Sequence, residues 1–293
     1  MAYIGPTLPE NHAPLTSELE EFLTVHKRVV FVGFGSAVII VPAQFEAMIQ
    51  SLAAAYQSGL LDGVIWGLMD TKASELPDVV HVRTTNASGE AISEEHRIED
   101  MYTGKHPFIH IVDVAPQRAI LKHPSVKLFI SHCGMGSIHE AFEAATPLLG
   151  LPVSADQPSN AMRIEAMGAG VSMKWDQVGT DAMHSAFKQL LEGGSAEKMK
   201  IVMSKLQRMI LLFNRRIPYA ADMVEMAAFP GAIQFLETAD KRMAWWRARN
   251  VDVWITVALT LLILSAGSIY ATVKTIRRAR PVFRRRSSKI MKA

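Results

Sequence analysis

The chain alternates short apolar runs with stretches whose apolar residues recur every three or four positions. Arg28–Phe34 (RVVFVGF), Gly63–Leu68 (GVIWGL), Phe108–Val112 and Leu128–Ile130 are apolar without alternation, as strands buried on both faces are. Leu148–Val153 and the shorter Val171–Lys174 complete that set. Leu15–Leu23, Pro42–Gln57, Pro116–Lys122 and the segments starting near Ile138 and Pro158 read as helices, with Pro42 suited to a first turn. Strands alternating with helices predict an α/β fold, a doubly wound parallel sheet. Val79–Val82 is a candidate further strand, but Thr71–Pro107 as a whole is polar and longer than ordinary connections, which predicts a surface excursion.

Past Thr180 the pattern is helical: Asp181–Leu191, Ala196–Phe213, Pro218–Ala228 and Gly231–Arg247. The second carries Met199, Val202, Met203, Leu206, Met209, Ile210 and Phe213 on one face, expected to pack on the sheet domain, with Lys and Arg opposite as a solvated face. Val251–Val273 is then apolar for 23 residues, enough to cross a hydrocarbon core of about 30 Å. Trp245, Trp246 and Trp254 at one end and Tyr270 at the other sit where interfacial aromatics sit. The resulting map has a lead-in (1–27), a sheet domain (28–195, with 71–107 as an insertion), a helical extension (196–250), a membrane helix (251–273) and a basic tail (274–293).

Charge sharpens this map. The 293 residues carry 31 Lys/Arg and 28 Asp/Glu, a net +3, but residues 274–293 hold nine cations and no acid. The rest is therefore mildly acidic; the basic tail lies beside the apolar helix, which favours a membrane over nucleic acid as its partner and predicts a cytoplasmic C-terminus. One cysteine, Cys133, excludes an intramolecular disulfide; it reads as a small residue packed in a turn. The first fifteen residues have no basic and apolar leader pattern, so no signal peptide is expected, which conflicts with a lumenal sheet domain. Asn86-Ala87-Ser88 is a glycosylation sequon, meaningful only on a lumenal or extracellular face.

Candidate chemistry collects at strand-to-helix junctions. Gly35-Ser36, Pro116-Gln117, His132–Ser137 and Asp156-Gln157 each follow an apolar run, and ligands of doubly wound sheets sit outside the carboxyl ends of the strands. The glycine turn at Gly134 and Gly136, followed by a helix bearing Ser137 and Glu140, is suited to an anion. Singly, each has a plainer reading: His132 as a satisfied turn histidine, Glu140 as a helix-dipole partner, Asp156 as a helix cap.

Taken in order, these residues resemble the C-terminal, donor-binding half of UDP-dependent glycosyltransferases, the group that includes UDP-glucuronosyltransferases. The matches are Ile4-Gly5-Pro6, Leu19–Phe22, Val30–Ser36, Pro116-Gln117, Ser131–Gly134, Ser137 with Glu140, and Asp156-Gln157 with Asn160, and then the late helices, apolar span and basic tail. The resemblance implies a Rossmann-like domain of a GT-B glycosyltransferase with a UDP-sugar donor, no metal and no cofactor. It implies Gln117 at the uracil and Glu140 at the ribose diol. His132, Ser36 and the amides near Gly136 and Ser137 fall to the diphosphate, Asp156 and Gln157 to the sugar, and Gly35, Gly134 and Asn160 complete the UDP-sugar-binding set. Two positions depart from the pattern: Val114 stands where a base-stacking tryptophan is usual, and Gly136 where a phosphate-contacting asparagine is common.

The family's general base and acceptor site belong to an N-terminal half expected before Met1, so no catalytic residue is assigned in this chain. The expectation is the donor half of a single-pass membrane enzyme of the endoplasmic reticulum or another endomembrane. It would transfer a hexosyl group to a small lipophilic acceptor once the other half is supplied, and be inactive alone. A donor subunit of a split enzyme and a catalytically silent nucleotide-binding or regulatory protein are the alternatives; homo- or hetero-oligomers are left open.

Overall fold

The six apolar runs all enter one parallel sheet in the computed structural model. The structure describes residues 5–6, 8–36, 38–69, 71, 75–85, 91–179, 181–231 and 237–290. The Asn86 sequon lies outside the described residues, as do Ile4 and residues 232–236. The chain divides into two units, Met1–Ala220 and Ala221–Ala293.

The first unit runs α1 (Ser17–Val25), β1 (Val29–Gly33), α2 (Pro42–Gln57), β2 (Gly63–Gly67), β3 (Val79–Thr85), β4 (Ala91–Arg97), α3 (Ile98–Tyr102), β5 (Ile109–Val112), α4 (Gln117–Lys122), β6 (Val126–Ser131), α5 (Met135–Ala144), β7 (Leu148–Gly150), α6 (Gln157–Met167), β8 (Gly170–Ser172), α7 (Asp181–Leu191) and α8 (Gly193–Asn214). Every residue of β1 and β2 is buried, which is why both read as unbroken apolar runs. Thr16 caps α1 through its Oγ1, and Pro42 opens α2 where its missing N–H is harmless. Stacked pairs Phe31–Phe129 (5.2 Å) and Phe45–Trp66 (4.8 Å) join β1 to β6 and α2 to β2 in the core. The outcome for α8 is mixed: Met199, Met203 and Ile210 are buried, whereas Met209, expected on the same face, is half exposed.

The sheet order is β5-β2-β1-β6-β7-β8, with every neighbouring pair parallel. With β3 and β4 set aside this is the dinucleotide-fold order 3-2-1-4-5-6, and the order reverses between β1 and β6. Right-handed crossovers running outward in opposite directions from that point place helices on both faces. The register aligns Val112, Gly67, Gly33, Ser131, Gly150 and Ser172 in one row across the sheet. The chain therefore leaves β1 and β6 side by side.

The stretch Thr71–Pro107, expected as a surface excursion with a candidate strand at Val79–Val82, carries a hairpin and a short helix among its described residues. β4 pairs antiparallel with β3 from Val79↔Arg97 to Thr85↔Ala91, and α3 follows, burying Ile98 and Met101. Hydrophobic alternation could not reveal β4, because His96 is its sole buried side chain among those described. That histidine explains how the hairpin is held. His106 Nδ1 accepts the amide of Ile109 (3.0 Å), so its Nε2 carries the proton and donates it to His96 Nδ1 (2.7 Å). Burial, and then the charge that His96 would carry, push His106 down to about 4; burial also lowers His96, against the pull of Glu94. A histidine held neutral contributes stability that is complete above about pH 6.5 and is lost as pH falls toward about 4. Acidification from pH 7 to 4.5 is thus expected to lower the thermal midpoint more in the wild type than in His106→Gln, whose carbonyl can accept the same amide without titrating. Parallel melts at the two pH values measure the difference.

Other boundaries shift. The helix expected near Ile138 begins at Met135, and the strand expected at Val171–Lys174 is β8. α9 (Ile217–Ala228) crosses the division between the units. Among the described residues of Gly231–Arg247, read from the sequence as one helix, there are α10 (Ala239–Arg242) and α11, which runs on to Ala248 (Trp245–Ala248). Extended backbone at Met243 (ψ 156°) and Ala244 (ψ 139°) separates them, a break that apolar spacing does not signal. α12 runs from Val251 to Ile290, so the helix continues through much of the basic tail. Its portion Val251–Arg277, whose most apolar 18 residues have a mean hydropathy of 2.0, is long and apolar enough to cross a membrane. Arg247 lies over the Trp246 ring (4.9 Å) and Lys274 over Tyr270 (5.6 Å), pairing cations with aromatics at both ends of this segment.

Candidate functional site

Three of the six aligned strand ends are glycines, and side chains of the following loops lie close to where their Cβ atoms would be. A Cβ at Gly33 would lie 3.1 Å from Gln117 Oε1, at Gly67 2.8 Å from Ala115 Cβ, and at Gly150 2.6 Å from Cys133 Sγ. Sequence reading did not single out these three glycines, although Gly33 and Gly67 near the ends of their apolar runs and Gly150 within its own were the available signal.

At the β1–β6 switch point lies a cavity of about 410 Å³ whose walls include Phe31, Gly35, Ser36, Val114, Gln117 and Glu140. Gln117 opens α4, and its Nε2 donates to Glu140 Oε2 (2.7 Å) and Ser137 Oγ (3.1 Å) on α5. Three of the residues singled out from sequence thus form one hydrogen-bonded cluster. The Glu140 carboxylate, an acceptor only, keeps capacity beyond this one bond. Val114 stands 74% exposed at the rim, and Gly136 has open space where a Cβ would be. Gly134 caps α5 without a side chain, so the first amides of the helix, including those of Gly136 and Ser137, are donors at a positive dipole end.

His132 connects this cluster to a second one. Its buried ring sits between two glycines: a Cβ at Gly35 would come 3.0 Å from Cε1, and one at Gly134 2.4 Å from Nε2. Gly35 also has φ +63°, which a side chain would strain. Burial lowers the His132 pKa against the opposing pull of the Gly33 backbone and Asp156, so the ring is neutral at pH 7. Cys133 follows in the left-handed region (φ 65°), its thiol buried and pushed up to about 12 by burial and the nearby Glu165. It is a packed turn residue, not an activated thiolate.

Asn160 fastens that turn to α6. Its Nδ2 donates to the Cys133 carbonyl (3.1 Å) and to Asp156 Oδ2 (2.8 Å). Asp156 makes no side-chain cap for α6; its exposed carboxylate is shared with Asn160. Gln157 is buried, and its Oε1 accepts the amides of Val153 (2.8 Å) and Ser154 (3.0 Å). Its carbonyl therefore shapes the β7–α6 loop.

Two further residues escaped sequence reading. Arg118, next to Gln117, pairs with Glu143, one turn past Glu140: Nε to Oε2 is 2.5 Å and Nη2 to Oε1 is 2.6 Å, both residues 6% exposed. Lys122 adds a third cation-to-carboxylate contact at 3.2 Å. Burial alone would raise the Glu143 pKa, but hydrogen bonds from Arg118 and Lys122 overcome it and hold the carboxyl below its usual range. No sequence pattern announces a pair 25 residues apart. Among the described residues no group of three or more His, Cys, Asp or Glu could hold a metal ion.

The chain is similar to known proteins along nearly its whole length. It is 34% identical over 289 residues to UDP-glycosyltransferase 1 of Phaeomoniella chlamydospora, covering 93% of this chain and 54% of that protein. It is 33% identical to a UDP-glycosyltransferase of Talaromyces amestolkiae, covering 92% and 52% respectively. The chain thus spans about half the length of these curated relatives. Among solved structures, the glycotransferase of kitacinnamycin shares the fold at a TM-score of 0.54 and 20% identity, over 76% of this chain and 48% of that one. Os79 from O. sativa, solved in complex with UDP, does so at 0.51 and 22%, over 66% and 38%. The model of the UDP-glucoronosyl and UDP-glucosyl transferase family matches residues 1–279, and with that match the chain belongs to this family, its parallel-sheet domain sharing the fold of part of these GT-B structures.

Proposed function

We propose that this chain is the donor-binding half of an inverting, membrane-anchored UDP-glycosyltransferase. The observation that carries the reading is the Gln117–Glu140–Ser137 cluster opening onto a cavity at the switch point of the sheet. Glu140 accepts the ribose hydroxyls, while Gln117 orients it and flanks the uracil. The neutral His132, Ser36 and the first amides of α5 hold the diphosphate. Asp156, the Gln157 amide and Asn160 face the sugar. In the transfer, an acceptor hydroxyl oxygen bonds to the anomeric carbon as the bond from that carbon to the β-phosphate oxygen breaks, with inversion. The electron pair leaves with UDP, and donors at the α5 terminus stabilise the growing negative charge. The acceptor's proton passes to a base expected in the N-terminal half, so this chain alone binds donor without turning it over.

Val251–Arg277 would anchor the protein with its C-terminus in the cytoplasm. The exposed Val114 and the open space at Gly136 favour a second reading, a catalytically silent nucleotide-binding protein. The ribose assignment is tested by Glu140→Gln, expected to raise the UDP dissociation constant by about 10- to 100-fold through loss of charged hydrogen bonds. Calorimetry on the detergent-solubilised chain reads this out; an unchanged constant would remove Glu140 from the site.

A further inference from the structure

We infer that Arg118 and Glu143 are positioning residues of the donor site: their buried ion pair sets where Gln117 and Glu140 stand. This rests on the donor-site reading above. Two connections run in parallel between α4 and α5. Gln117 meets Glu140 at 2.7 Å, and the next residue on α4, Arg118, meets Glu143, three positions on along α5. Residues three apart on a helix lie on one face, so the two carboxylates stand one above the other. The guanidinium fork fixes the direction as well as the distance of its partner, which a single hydrogen bond cannot.

The same guanidinium reaches a third element. Arg118 Nη1 donates to the Pro9 carbonyl, and Ala13, farther along that entry segment, lines the cavity with Arg118 itself. Lys122 on the Glu143 carboxylate and Gln207 on the Glu143 backbone oxygen (2.8 Å) hold the α5 end of the clamp. Arg118 also lies in the field of Glu140, which together with Glu143 favours the guanidinium charge. A buried ion pair is seldom the most stabilising way to join two helices, because both charges must first be desolvated. Here its geometry serves alignment.

The test compares UDP with 2′-deoxy-UDP by calorimetry on the full chain in detergent, for wild type, Arg118→Lys, Glu143→Gln and Met203→Ala. Met203 is buried on α8 and is not among the residues bonded to Arg118 or Glu143, and its truncation loosens the fold. Arg118→Lys and Glu143→Gln are expected to weaken UDP about tenfold, the worth of one charged hydrogen bond, and to abolish the preference for UDP over 2′-deoxy-UDP. Met203→Ala is expected to lower the melting temperature and keep that preference. If the clamp variants melt lower but still prefer UDP, the pair is structural only and the inference fails while the donor site stands. If the wild type binds neither nucleotide, both fail. Should either single variant not fold, Arg118→Met/Glu143→Met, which removes both charges together, takes its place with the same expected outcomes.

Discussion

Glu143→Ala is expected to destabilise the first unit by about 3–5 kcal/mol, because it leaves the Arg118 guanidinium buried without its partner. The two side chains are 7% and 5% exposed, so water cannot substitute for the lost carboxylate. Thermal or denaturant unfolding followed by circular dichroism measures the loss. Removing both charges in Arg118→Met/Glu143→Met is expected to recover much of it, since the penalty comes from the orphaned charge more than from the missing attraction. The pair also has a pH signature. Glu143 is held below its ordinary value near 4.5, so its contribution is complete above that value and disappears as pH falls through the lower, folded one. This acid loss lies below most of the window in which the His96–His106 pair titrates, and the two variants separate them.

Val114→Trp is expected to tighten UDP binding by about 5- to 150-fold, corresponding to the ~1–3 kcal/mol of one aromatic ring stacked on a base. Val114 is 74% exposed at the cavity rim, so a larger side chain meets no packed neighbour there. Gly136→Asn is expected to add to this effect, because its Cβ would meet nothing within 4 Å and its amide would join donors at the α5 terminus. Calorimetric titration of UDP into each variant and the double variant measures both. Tightening would mean that these positions limit nucleotide affinity in the native chain; unchanged affinity at Val114 would mean that the base lies elsewhere.

The sheet was legible because buried parallel strands leave an unmistakable mark: Val29–Gly33 and Gly63–Gly67 have no polar position to confuse the reading. The junction residues were legible for a related reason, since Gly35-Ser36, Gln117 and His132 each follow such a run. What remained hidden depends on partners distant in sequence. β4 is held by strand pairing and one buried histidine, neither of which alters the polarity pattern. The role of Glu143 comes from Arg118, and the inward turn of Gln157 from two amides of its own loop. The break at Met243 is a backbone event within a segment of helical composition.

The central claim is that the β1–β6 edge of this chain holds a UDP-linked donor. Calorimetric titration of UDP into the full wild-type chain tests it most directly. Saturable binding of one UDP per chain, weakened by Glu140→Gln, is the result the site predicts. Absence of saturable heat at millimolar UDP, from a chain shown to be folded, would contradict it.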